Sequence, residues 1–145
     1  MLELSMVLVV LLILLAGVVD LGRMMYEYLT MRDAAQEGAG YAAVFPADCS
    51  HIVDRVMHNL PDSNYTVAVT ITDINGGTGT VTCSAASAAD YSGGDLPYYG
   101  CVGNRVTVIV DHTTEITMPF ISAFTGTTVP MHVEIADRIV RPACR

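Results

Sequence analysis

Sixteen consecutive residues, Leu4 to Val19 (LSMVLVVLLILLAGVV), carry neither a charge nor a proline. A helix through them covers about 24 Å, short of the ~30 Å hydrocarbon core of a bilayer. Spanning therefore requires a thinned bilayer or snorkelling at the acids that bracket the run, Glu3 and Asp20. The helical pattern does not stop there. Residues 24–45 (MMYEYLTMRDAAQEGAGYAAVF) extend it to about Phe45, where Pro46 ends it. In this second half Leu21, Met25, Tyr28, Met31, Ala35 and Ala42 recur at three-, four- and seven-residue steps, with Glu27, Arg32, Asp33, Gln36 and Glu37 largely between them. The stripe predicts packing against the C-terminal half of the chain. Small residues cluster at Ala34, Ala35, Gly38, Ala39, Gly40, Ala42 and Ala43, where another backbone can approach closely. A rod about 66 Å long needs partners along most of its length.

After the rod the period changes. CSHIVDRVMHNL at Cys49–Leu60 predicts a short helix capped by Asp48 or Ser50, with Ile52, Val53, Val56, Met57 and Leu60 on its apolar face and Pro61 as its stop. YTVAVTIT at Tyr65–Thr72 alternates as a half-buried strand does, and Asn75-Gly76-Gly77 is a hairpin signal that returns the chain into Gly79–Cys83. Residues 84–100 are small and polar with three tyrosines, and read as a loop. NRVTVIVDHTT at Asn104–Thr114 sets Val106, Val108 and Val110 on one face of a strand. MPFISAF at Met118–Phe124 suits a short helical or turn segment, and Val129–Val140 sets Met131, Val133 and Ile135 against His132, Glu134 and Ala136. The expected fold is α+β: a long N-terminal helix over 1–45, then a head over 46–145 built from one short helix and an antiparallel sheet of about four strands.

Charge narrows the functions open to such a chain. Seven Lys+Arg, all arginine, stand against fifteen Asp+Glu, giving a formal net charge of −8, so no basic footprint for nucleic acid is present. The sequence carries no basic cluster beside the apolar run, the usual orienting signal of an anchor, and no basic n-region of a signal peptide precedes it; either that charge is absent or it lay in a leader outside this chain. The four cysteines, Cys49, Cys83, Cys101 and Cys144, show no CxxC or zinc spacing. An even count in a small domain beyond an apolar segment favours two disulfides formed in an oxidising compartment. Of three possible pairings we expect Cys83 with Cys101 and Cys49 with Cys144, worth about 3 and about 4 to 5 kcal/mol in the chain-entropy picture. Free buried thiols are the alternative.

The opening LEL, the apolar helix and the stretch GVVDLGRMMYEYLTMRDAAQEGAGYAAVF resemble the TadE/TadG-like pseudopilins of tight-adherence secretion systems, relatives of type IV pilins. In that family a glutamate opens the apolar helix, followed by an acidic-aromatic-glycine-arginine element and an alanine-rich element. Here these correspond to Glu3, to Asp20, Leu21, Gly22 and Arg23, and to Ala34 through Ala43, with leucine, glutamine and glycine replacing the family's phenylalanine and arginines. RVTVIVDHTT, MPFISAF and VPMHVEIADRIV are similar to the family's later strand, short helix and final strand. The resemblance implies an inner-membrane precursor, removal of a basic leader by a prepilin peptidase, and assembly in which apolar helices leave lipid and bundle with copies of the same chain. In type IV pilins the glutamate usually lies five residues into the mature chain; here it is residue three.

Two readings of Glu3 stay open: a carboxylate paired with a neighbouring subunit's α-amino group, or a charge marking where the span ends. Asp20 and Arg23, three apart, form either a local ion pair or an intersubunit contact. With Gly38 and Gly40 these are the candidate assembly residues. No haem attachment, phosphate loop, nucleophile elbow or paired-carboxylate signature is present, so an enzyme is not expected, nor a cofactor or metal. His51, His58, His112 and His132 read as satisfied or solvated, and the methionines as packing. The expected function is a structural subunit of an extracellular filament. Rival readings are a membrane-retained accessory component of the pilus machinery, and an anchored binding module using the loop with Tyr91, Tyr98 and Tyr99.

Overall fold

The computed structural model describes residues 2–61, 64–73, 80–84, 101–116 and 126–141. Helix α1 runs unbroken over Leu2–Val44, as an apolar run without proline dictates. Helix α2, Cys49–His58, begins at Asp48, whose carboxylate accepts from the His51 amide at 3.4 Å. It ends two residues short of Leu60 because Asn59 caps it, and its side chain donates to Glu37 of α1. Strands β1 (Thr66–Thr72), β2 (Thr80–Ser84), β3 (Arg105–Glu115) and β4 (Thr128–Arg138) form one sheet in the order β2-β1-β3-β4, every pair antiparallel. Pro130 is tolerated because β4 is the edge strand of the sheet among the described residues. The NGG turn, the 84–100 loop beyond Ser84 and the Met118–Phe124 segment lie outside the described residues.

Alternation puts Val67, Val69 and Ile71 of β1, Val106, Val108 and Val110 of β3, and Val133 of β4 on one face of the sheet, all buried. Helix α1 packs across β3 and β4 and α2 across β1, closing one core that contains Met31, Ala34, Ala35, Ala39 and Ala42 of α1 and Ile52, Val53 and Val56 of α2. Alanines on α1 allow this approach, since each projects only a methyl towards the sheet. The chain end is tied back to the rod where the Val140 amide donates to the Ala43 carbonyl at 3.0 Å.

The apolar stripe needs correcting. Met31, Ala35 and Ala42 are buried under the head, but Leu21, Met25 and Tyr28 are 68%, 59% and 42% exposed. The head reaches this level of α1 on the side of Glu27, which Thr114 of β3 meets, and leaves these three side chains exposed, so the stripe continues towards the N-terminus without cover. A helical period reports that a face is to be covered, not that its own chain covers it.

Cys49 and Cys101 each take part in a disulfide, and no described cysteine is a free thiol. Cys144 and the Cys83 side chain lie outside the described residues, and so does the pairing expected for them.

Candidate assembly surface

From Leu4 to Leu15 every large apolar side chain of α1 is exposed, on all sides of the helix rather than along one stripe. The helix is long and apolar enough to cross a membrane, and none of its most apolar window is covered by the rest of the chain. Exposure persists past the uncharged run through Val18, Val19, Leu21, Met25, Tyr26 and Leu29. From Leu4 to Leu29 this is about 39 Å of rod, more than the ~30 Å of bilayer hydrocarbon. A helix apolar all round is stable only inside lipid or among other helices. Met6, Val7, Val10, Leu11 and Leu14 bound a shallow groove of about 390 Å³ on its surface, the shape that receives a ridge of side chains from a neighbouring helix.

Where the exposed rod meets the head, Arg23 pairs with Glu27, one turn on, its Nε lying 2.9 Å from Glu27 Oε1. The head holds the same carboxylate: Thr114 Oγ1 of β3 donates to Glu27 Oε2 at 2.6 Å and fixes it beside the helix. The Arg23 guanidinium is 60% exposed, so its pair with Glu27 contributes only a few tenths of a kcal/mol. Glu27 and Thr114 thus form the first tether between rod and head. No sequence signal joined them, because they stand 87 residues apart. A second tether sits higher up, where Glu37 of α1 takes Arg55 Nη1 at 3.3 Å and the Asn59 amide while Arg55 also lies over the Tyr41 ring.

The two candidate glycines separate. Gly38 is buried, and a Cβ there would fall on Cγ2 of Val56 and lie in van der Waals contact with both methyls of Val108. Its close approach is within the chain, between α1, α2 and β3. Gly40 faces outward with open space around it. Glu3 lies in the first turn of α1, where the unsatisfied amides of the helix end favour a negative charge whatever else the carboxylate meets.

The histidines are occupied locally. His112 stacks on Tyr65 with ring centroids 4.1 Å apart, His132 Nδ1 lies 2.6 Å from Asp111 Oδ1, and His51 Nδ1 lies 2.7 Å from Asp48 Oδ1. Burial pushes the Asp48 carboxyl up, but the hydrogen bonds and charge of His51 outweigh it and hold the group below the ordinary carboxylate range. Among the described residues no three His, Cys, Asp or Glu side chains converge as metal ligands.

Neither the curated proteins nor the solved structures give a match to this chain. The family model described as TadE-like protein matches residues 1–40, that is, the whole exposed rod and the first turns beneath the head. Over that segment the chain is similar to the TadE-like, pilus-related proteins, as the Glu3, Asp20–Arg23 and Ala34–Ala43 elements imply.

Proposed function

We propose that this chain is a structural pilin-like subunit that is held in the inner membrane by α1 and then polymerises through that helix into an extracellular filament on the cell surface. The observation that carries the reading is the exposure of the large apolar side chains of α1, on all sides from Leu4 to Leu15 and on through Leu29, against the burial of its head-facing side, Met31, Ala34, Ala35, Ala39 and Ala42, beyond. Lipid can cover about 20 residues of such a rod. Copies of the same helix can cover all of it. In the filament, Glu3 meets a neighbouring α-amino group, Asp20 and Arg23 make lateral contacts, and Gly40, open on the outer side of α1, admits another backbone. Prepilin peptidase and the pilus assembly machinery are the partners before polymerisation. Disulfides Cys83–Cys101 and Cys49–Cys144 tie the head that remains outside.

A second reading is favoured by the family match over residues 1–40: a minor pseudopilin or accessory component that stays in the membrane and binds other subunits. Electron microscopy with mass spectrometry of filaments sheared from producing cells separates the two. Filaments composed almost entirely of this polypeptide support the subunit reading. Filaments that lack it, with the chain retained in the membrane, refute it.

A further inference from the structure

The sheet has a second face, opposite α1 and α2. Alternation places Thr70 and Thr72 of β1, Arg105 and Thr107 of β3, and Glu134 and Arg138 of β4 on it. Arg105 stands directly across from Arg138 in the β3–β4 ladder. Like charges in directly opposed positions destabilise a sheet. Among the described residues no ion pair neutralises either guanidinium; the pairs formed there use Arg23, His51, Arg55 and His132. In a chain of net charge −8 with only seven basic residues, two stand side by side here.

Both arginines line a groove of about 380 Å³, within the range of small-molecule sites, whose wall also carries Thr70, Thr72, Glu134 and Asp73. Thr107 lines it too and is only 6% exposed. Two guanidinium forks bind a carboxylate through paired N–H donors. The threonine hydroxyls both donate and accept, and the carboxylate of Glu134 accepts from hydroxyl groups while repelling a multiply charged anion. Those demands describe a ligand with one negative charge and several hydroxyls. We propose that this groove binds the carboxylate of an acidic sugar between Arg105 and Arg138, with Thr70, Thr72 and Thr107 contacting the ring hydroxyls. The site belongs to the head and holds whether or not the chain polymerises.

Calorimetry on the full chain in detergent micelles at low salt tests this with galacturonic acid, which carries a single carboxylate, as probe, beside neutral galactose and inorganic sulfate. Galacturonate should bind and galactose should not. R105Q/R138Q should weaken binding by about tenfold or more, the loss of a charge-assisted pair, with an unchanged circular-dichroism spectrum. R32Q, which removes an exposed arginine on α1, should leave it unaltered. Three results overturn the assignment: galacturonate that fails to bind, R105Q/R138Q that binds as the parent does, or sulfate that competes as well as the sugar, which would make the groove a reader of charge alone.

Discussion

Gly38 and Gly40 stand two residues apart on the same helix and carry opposite expectations for the same substitution. Gly→Ala in a helix interior stabilises by about 1 kcal/mol through backbone entropy. At Gly40 nothing lies within 4 Å of the added Cβ, so that gain is realised in full. At Gly38 the new methyl falls on Cγ2 of Val56, a fully buried β-branched side chain in the middle of α2 whose χ1 is held to one rotamer by its own helix. Val108 stands behind it, 3.6 Å from the new atom. Overpacking of this kind costs about 1 to 3 kcal/mol. After the propensity gain, Gly38→Ala should come out neutral to about 2 kcal/mol destabilising, and the two alanine variants should differ by about 1 to 3 kcal/mol.

The assay is urea unfolding of the full chain in micelles, followed by near-ultraviolet circular dichroism of the head tyrosines. Val56→Ala supplies the cross-check, because it removes the methyl that the new Cβ meets. In the double variant the added and deleted volumes compensate, and a double-mutant cycle should return a favourable coupling of about 1 to 2 kcal/mol. If Gly38→Ala stabilises as much as Gly40→Ala, or if the coupling is zero, then α1 does not lie against α2 at this distance. The account of Gly38 as a residue of the head rather than of the filament would then fail.

Three further outcomes follow from the same geometry. Thr114→Val keeps the shape of the side chain but removes the hydroxyl bound to Glu27, and should lower stability by about 1.5 to 3 kcal/mol, read as a fall in the urea midpoint. Asp48 has its folded-state carboxyl held below the ordinary value of about 3.9, so its contribution is fully present above that value and is lost as pH falls through the lower, folded one. An acid titration of head stability should show this loss below about pH 4, amounting to less than ~1 kcal/mol for a side chain 39% exposed, and Asp48→Asn should abolish it. Leu11→Arg places a charge in the middle of the uncharged run at a cost of about 2.5 to 3.5 kcal/mol in lipid, and should deplete the chain from the membrane fraction while leaving the unfolding of the head unchanged.

Much of the fold is legible in the sequence because its determinants are local. An apolar run free of proline up to Pro46 dictates α1, Asp48 and Pro61 delimit α2 to within two residues, and the valines of β3 at every second position name both the strand and its buried face. What is not legible depends on distance in the chain. Nothing near Glu27 says that a threonine 87 residues later holds its carboxylate. Gly38 and Gly40 look alike in a string of small residues, and only the position of Val56 separates them. The opposed arginines at 105 and 138 are invisible until the β3–β4 register is known. The stripe through Leu21, Met25 and Tyr28 was read correctly as a face needing cover and wrongly as a face covered by its own head.

That last error bears on how the molecule works. If the head had extended down α1 to cover Leu21, Met25 and Tyr28, the rod would need lipid only for the uncharged run, and about 24 Å of helix could be satisfied as a simple anchor in a thinned bilayer. Instead the bare apolar surface extends to Leu29, past Asp20, Arg23 and Glu27, charged groups that resist entry into hydrocarbon. Lipid deep enough to cover Tyr26 and Leu29 would have to take in those three groups as well. A neighbouring helix is under no such constraint, because it can lay apolar residues against the apolar side and leave the Arg23–Glu27 pair on the other. Hence the segment 21–29, rather than the more apolar run before it, is the part of α1 whose exposure separates a filament subunit from an ordinary membrane anchor.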